Sequence, residues 1–132
     1  MIKNIIFDFG GVLTTIDTDR ALGRFRDLGI ERPEQYINSY CQKGPFFELE
    51  NGDIDAGEFC LRIGTMCGKE ITFDEAKDAW LGFIVKVHEE WLDFLQTIRG
   101  KYRLGVLSNT NPFIQSWAQT SNFTRCGKSL AN

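Results

Sequence analysis

Asp8 stands at the end of a short apolar run, residues 2–9, and Gly10-Gly11 close that run. A near-continuous apolar strand of this kind suits the centre of a parallel sheet. Open α/β sheets place their ligand sites beyond the carboxyl ends of such strands. Two glycines at that point remove side chains, so backbone groups can approach a phosphate or a metal. Far along the chain, a second strand expected over 102–107 ends at Ser108-Asn109-Thr110-Asn111, and Pro112 can begin a helix. A hydroxyl and the amides of a helix N-terminus then lie where an anion would sit. A carboxylate nucleophile and an oxyanion cradle thus fall on two strand ends. The plainer alternative, that Asp8 and Ser108 are only turn or cap residues behind buried strands, stays open on residue types alone.

Between the two strands the pattern is helical. Leu22, Phe25 and Leu28 recur at helical spacing before Gly29, and Pro33 can open a second helix with Tyr36, Ile37, Tyr40 and Cys41 on one face. Asn51-Gly52 marks a turn. Asp55 with Glu58, and Thr72 with Glu75, form capping-box patterns ahead of the apolar sets Phe59, Ile63, Met66 and Ala76, Trp80, Phe83. A further helix is expected to carry Trp91, Phe94, Leu95 and Ile98. The stretch after Thr120 is polar, with no closing element expected. Two parallel strands bury their faces poorly, so the sheet reads as incomplete. Aromatics at helical spacing are usually core, but Phe46, Phe47, Trp80 and Phe83 are also candidates to line a cavity.

Bulk properties narrow the partners. A net charge of −3 over 132 residues offers no basic footprint for nucleic acid or an anionic membrane. No apolar run approaches the roughly 18 residues of a membrane span. The start lacks the features of a secretory signal, which leads to an expected cytoplasmic location. Cys41, Cys60, Cys67 and Cys126 form no C-x-x-C pair, and with the single His88 they suggest thiols rather than a metal centre.

Ile5-Ile6-Phe7-Asp8-Phe9-Gly10-Gly11-Val12-Leu13 resembles motif I of the haloacid dehalogenase (HAD) superfamily, and Leu107-Ser108-Asn109-Thr110-Asn111 resembles its motif II. The helices between them resemble the family's C1-type cap, whose usual signature fits Glu50-Asn51-Gly52-Asp53-Ile54 followed by Glu58-Phe59. The resemblance implies an α/β fold: a partial Rossmann-like core of parallel strands over 1–16 and 87–132, with an inserted helical cap over 17–86. It implies a Mg²⁺-dependent phosphatase acting on small phosphorylated metabolites through an aspartyl-phosphate on Asp8. The Asp8 carboxylate and the Gly10 backbone carbonyl would hold Mg²⁺, and Ser108 with the Asn109 amide would bind the transferring phosphoryl group.

Two departures from the family pattern stand out. Phosphatases of the family usually carry an aspartate two residues after the nucleophile as general acid and base, and here that position is Gly10. Asp17 and Asp19 are the nearby acids that could substitute, with helix capping as their plainer role. Motifs III and IV lie on later strands in the family, beyond the chain as given. That implies inactivity of this chain alone and self-association through its bare sheet edge. Two other readings remain: a metal-independent haloacid dehalogenase, which also uses an aspartate nucleophile, and a non-catalytic binding or regulatory fragment.

Overall fold

The structure is a computed structural model that describes residues 1–38, 40–125 and 127–130; Cys126 lies outside the described residues. The first strand, β1 (Asn4–Asp8), runs into a tight turn in which the Leu13 and Thr14 amides both donate to the Phe9 carbonyl, at 3.0 and 3.1 Å. The buried Thr14 hydroxyl donates to the same carbonyl. Then come β2 (Thr14–Ile16) and α1 (Thr18–Leu28), the latter capped by Asp17, which accepts from the Arg20 amide. The helix expected from Pro33 shrinks to one 3-10 turn, Pro33–Gln35. Asn38 is the local competitor: its side-chain oxygen accepts from the Tyr40 and Cys41 amides at 2.9 and 3.0 Å, which offers the backbone an alternative to a helix. Ile37 is buried while Tyr40 is 97% exposed, so the four residues do not share one buried face.

Five α-helices, two strands and a 3-10 turn complete the order. In α2 (Gly44–Asn51), Pro45 pre-sets the first turn, and Gly52 ends the helix in the left-handed region at φ 84°. The expected turn at Asn51-Gly52 is therefore a helix cap. Next, α3 (Ala56–Cys67) begins at Asp55, which accepts from the Glu58 amide; the Glu58 carboxylate turns to Arg62 instead of closing the box. The box is complete in α4 (Phe73–Leu81), where Thr72 and Glu75 each accept from the other's backbone N–H. That helix stops before Phe83, one residue past Gly82. A Cβ at Gly82 would lie 2.7 Å from the Ala21 Cα, so only glycine allows α4 and α1 to meet there. After β3 (Ile84–Val87) follow α5 (Glu89–Ile98), β4 (Arg103–Leu107), α6 (Pro112–Ala118) and a 3-10 turn at Ser121–Phe123.

The expected parallel pair is present. Strands β1 and β4 run side by side with Asn4 opposite Arg103 and Asp8 opposite Leu107. A second sheet was not foreseen: β2 and β3 pair antiparallel where the chain leaves and re-enters the α/β layer, with an irregularity between Thr15 and Ile16. Three- and four-residue strands carry too little periodicity to read, and Phe83 fits the preceding helix pattern equally well.

The best-buried region is not at the sheet. Phe46, wholly buried, meets Phe25 edge-on at 5.0 Å and Phe59 edge-on at 5.2 Å, with Trp80 tilted at 5.6 Å. Phe113 of α6 joins this cluster through Phe59 at 5.5 Å, which ties the inserted helices to the α/β layer. By contrast Ile6 is 68% and Leu107 71% exposed. On α5, Leu92 and Leu95 pack inward while Trp91 and Phe94 are half-exposed. The polar last stretch does hold an anchor: Phe123 is buried and stacks on Phe9 at 6.1 Å. No helix among the described residues is long and apolar enough to cross a membrane.

Candidate active site

The register of β1 and β4 sets the geometry. Because Asp8 pairs with Leu107, the residue after Leu107, Ser108, emerges at the same carboxyl end of the sheet as Asp8. The Asp8 side chain is exposed, and one carboxylate oxygen accepts from the Phe9 amide at 2.8 Å. Gly10, Ser108 and Asn109 line one cleft of about 680 Å³ with residues of the helices 17–86; Asp8 is not itself in the lining but immediately precedes Phe9 and Gly10, which are. The Ser108 hydroxyl, on a partly buried residue, donates to the Asn109 carbonyl at 3.3 Å.

Asn111 ends the motif II loop and is almost wholly buried. Its side-chain oxygen accepts from the Phe113 and Ile114 amides at 3.1 and 3.2 Å, which starts α6. The asparagine-before-proline pattern was legible as a helix start, but its burial beside the cleft was not. Glu50, near the end of α2, lines the same cleft together with Gln42 and Asn111. Burial pushes the Glu50 carboxyl above the usual glutamate range, and the Gln42 and Asn111 side chains only partly oppose it. In the sequence Glu50 stands out only as part of the cap signature. Its chemistry comes from helices meeting in space, for which a single sequence carries no signal.

Of the four candidate aromatics, Phe47, Trp80 and Phe83 line the cleft, whereas Phe46 belongs to the core. Trp80 does both, and its indole N–H is the one buried side-chain polar group without a partner among the described residues. Asp17 and Asp19 are exposed in the first turn of α1 and do not line the cleft; Asp17 is a helix cap. His88 pairs with Thr15 at 2.9 Å on the β2–β3 ribbon, and no group of three or more His, Cys, Asp or Glu among the described residues could hold a metal. A partial Mg²⁺ site does fit. A carboxylate and a backbone carbonyl are hard oxygen donors, and Mg²⁺ commonly takes one or two carboxylates and fills its octahedron with water and substrate phosphate.

An aspartate and a serine on adjacent parallel strand ends point to a known class, and in sequence and fold the chain is similar to HAD-like hydrolases. It is 46% identical over 130 residues to the D-ribitol-5-phosphate phosphatase of Bacteroides thetaiotaomicron, covering 98% of this chain and 63% of that protein. A HAD-like family hydrolase from Porphyromonas gingivalis superposes with a TM-score of 0.90 at 36% identity, over 98% of this chain and 62% of that one. A HAD-family enzyme from B. thetaiotaomicron, solved in complex with magnesium and inorganic phosphate, matches with a TM-score of 0.78 at 34% identity, over 90% of this chain and 59% of that one. The chain thus spans less than two thirds of the length of these relatives. No family model matches it.

Proposed function

We propose that the whole protein is a Mg²⁺-dependent phosphatase of small phosphorylated metabolites. The observation that carries this is the pairing of Asp8 with Leu107, which brings a carboxylate and the Ser108-Asn109 loop to one strand end. Asp8 attacks phosphorus and becomes an aspartyl-phosphate, so that one displacement is split into two. The Ser108 hydroxyl and the Asn109 amide hold the phosphoryl oxygens as charge builds on them. Mg²⁺, when held by the Asp8 carboxylate and the Gly10 carbonyl, supplies the positive charge that offsets repulsion between carboxylate and phosphate. Residues 1–16 and 87–132 form the α/β core in this reading and 17–86 the cap. The β2–β3 ribbon, where the two crossings run side by side, supports that division.

The substrate to try first is a phosphorylated polyol. The curated relative acts on one, and the cleft lining includes the polar residues Gln42, Glu50, Asn109 and Thr110. The expected result is release of inorganic phosphate from ribitol 5-phosphate that depends on added Mg²⁺ and stops with EDTA. Chloride or fluoride release from a 2-haloacid without metal would favour the dehalogenase reading. Neither activity would leave a binding role. A cytoplasmic location accords with a phosphorylated metabolite as substrate.

The chain as given is also inferred to self-associate. Ile6, Val106 and Leu107 are exposed on a two-stranded sheet, and unpaired strand edges invite pairing with another copy. Light scattering at low micromolar concentration should give a mass above one chain; a monodisperse monomer would overturn this.

A further inference from the structure

We propose that Glu50 is the proton donor to the leaving group, carried into the cleft by α2 in place of the acid that position 10 lacks. This rests on the phosphatase reading above. The need comes from Gly10, whose missing side chain leaves the usual acid position empty. A Cβ on residue 10 would lie 2.6 Å from the Ile16 Cδ1, the tip of a half-exposed side chain that would have to swing aside. A proton must therefore come from another wall of the cleft.

Glu50 is the only carboxyl among the described residues that line the cleft, and no Lys, Arg or His lines it. The other side chains there that lose a proton are Tyr40, 97% exposed, and Cys41, whose sulfur lies 3.4 Å from the Asn38 amide nitrogen. Glu50 shares the cleft wall with Gln42 and Asn111. Asn111, whose oxygen accepts from the Phe113 and Ile114 amides, closes the loop that begins at Ser108, so the Glu50 carboxyl opens onto the same cleft as the residues expected to bind phosphate. Burial keeps more of it protonated near neutral pH than a surface glutamate would be, which is what a general acid requires.

The chemistry balances. As Asp8 bonds to phosphorus, the ester P–O bond breaks, and its electron pair goes to the leaving oxygen, which takes the Glu50 proton. The Glu50 carboxylate then accepts a proton from water as that water attacks the aspartyl-phosphate. The phosphorus–Asp8 bond breaks, inorganic phosphate leaves, and both carboxyl groups return to their starting states.

The test uses the full-length enzyme and two esters, ribitol 5-phosphate and p-nitrophenyl phosphate. An alkoxide leaving group needs a proton, whereas nitrophenolate leaves readily without one. Glu50→Gln is expected to lower kcat/KM on the alkyl ester by about 10²-fold or more, and on the aryl ester by less than about 10-fold. The wild-type alkyl profile should fall as pH rises through the Glu50 titration, and that alkaline limb should vanish in the variant. Equal losses on both esters, or an intact alkyl rate, would overturn the proposal while leaving the phosphatase reading standing. A wild-type enzyme inactive on both esters would overturn that reading and the proposal with it. Should Glu50→Gln not fold, Glu50→Asp carries the test: its shorter reach must cost the alkyl ester selectively, and parallel losses count against the role.

Discussion

Asp8→Asn in the full-length enzyme is expected to abolish turnover of phosphate esters, a fall of about 10⁴-fold or more in kcat, while the melting temperature stays near wild type. The size follows from the role. Removing a covalent nucleophile removes the pathway itself, and such losses reach about 10⁶ in well-studied hydrolases. The neutral fold follows from the surroundings. Asp8 is exposed, and its one recorded hydrogen bond, from the Phe9 amide at 2.8 Å, can be accepted equally by an asparagine oxygen. Surface changes of this kind usually stay within about 0.5 kcal/mol. Phosphate release at saturating substrate and a thermal melt read the two halves separately. Wild-type-like hydrolysis would remove Asp8 from the mechanism, and a collapsed melt would mean its carboxylate holds the turn.

The second large effect is on stability. Phe46→Ala should destabilise the protein by about 3–5 kcal/mol, the usual cost of emptying a buried aromatic site. Domains hold only about 5–15 kcal/mol in total, so much of the margin would go. Phe46 sits between Phe25, Phe59 and Trp80, and a void there has no neighbour free to fill it. Phe47, the next residue, is half-exposed and lines the cleft. Phe47→Ala should cost within about 1 kcal/mol and act instead on substrate KM. Urea denaturation of both variants checks the contrast, and comparable destabilisation would mean that α2 is seated differently.

That neighbouring pair marks where reading residues in order stops being enough. The amino-acid order alone located Asp8 and Ser108 at strand ends, because an apolar run followed by glycine, or by a Ser-Asn-Thr-Asn loop before proline, is a local signal. The caps at Asp55 and Thr72 and the stop at Gly29 were legible for the same reason: each is satisfied by backbone groups within a few residues. The Pro33 segment was misread because Asn38 redirects the backbone locally, and hydrophobic period alone does not weigh that competition.

Only the tertiary structure decided which of Phe46 and Phe47 is core, and that β2 and β3 pair across the long insertion. It also decided that the Ile16 tip lies beside Gly10, and that Glu50 and Asn111 line one cleft. Each of these depends on contacts between residues tens of positions apart. Helical and strand periods specify which face of an element is apolar. They do not specify which other face it meets, so a carboxyl on the cap becomes part of the site only when packing brings it there.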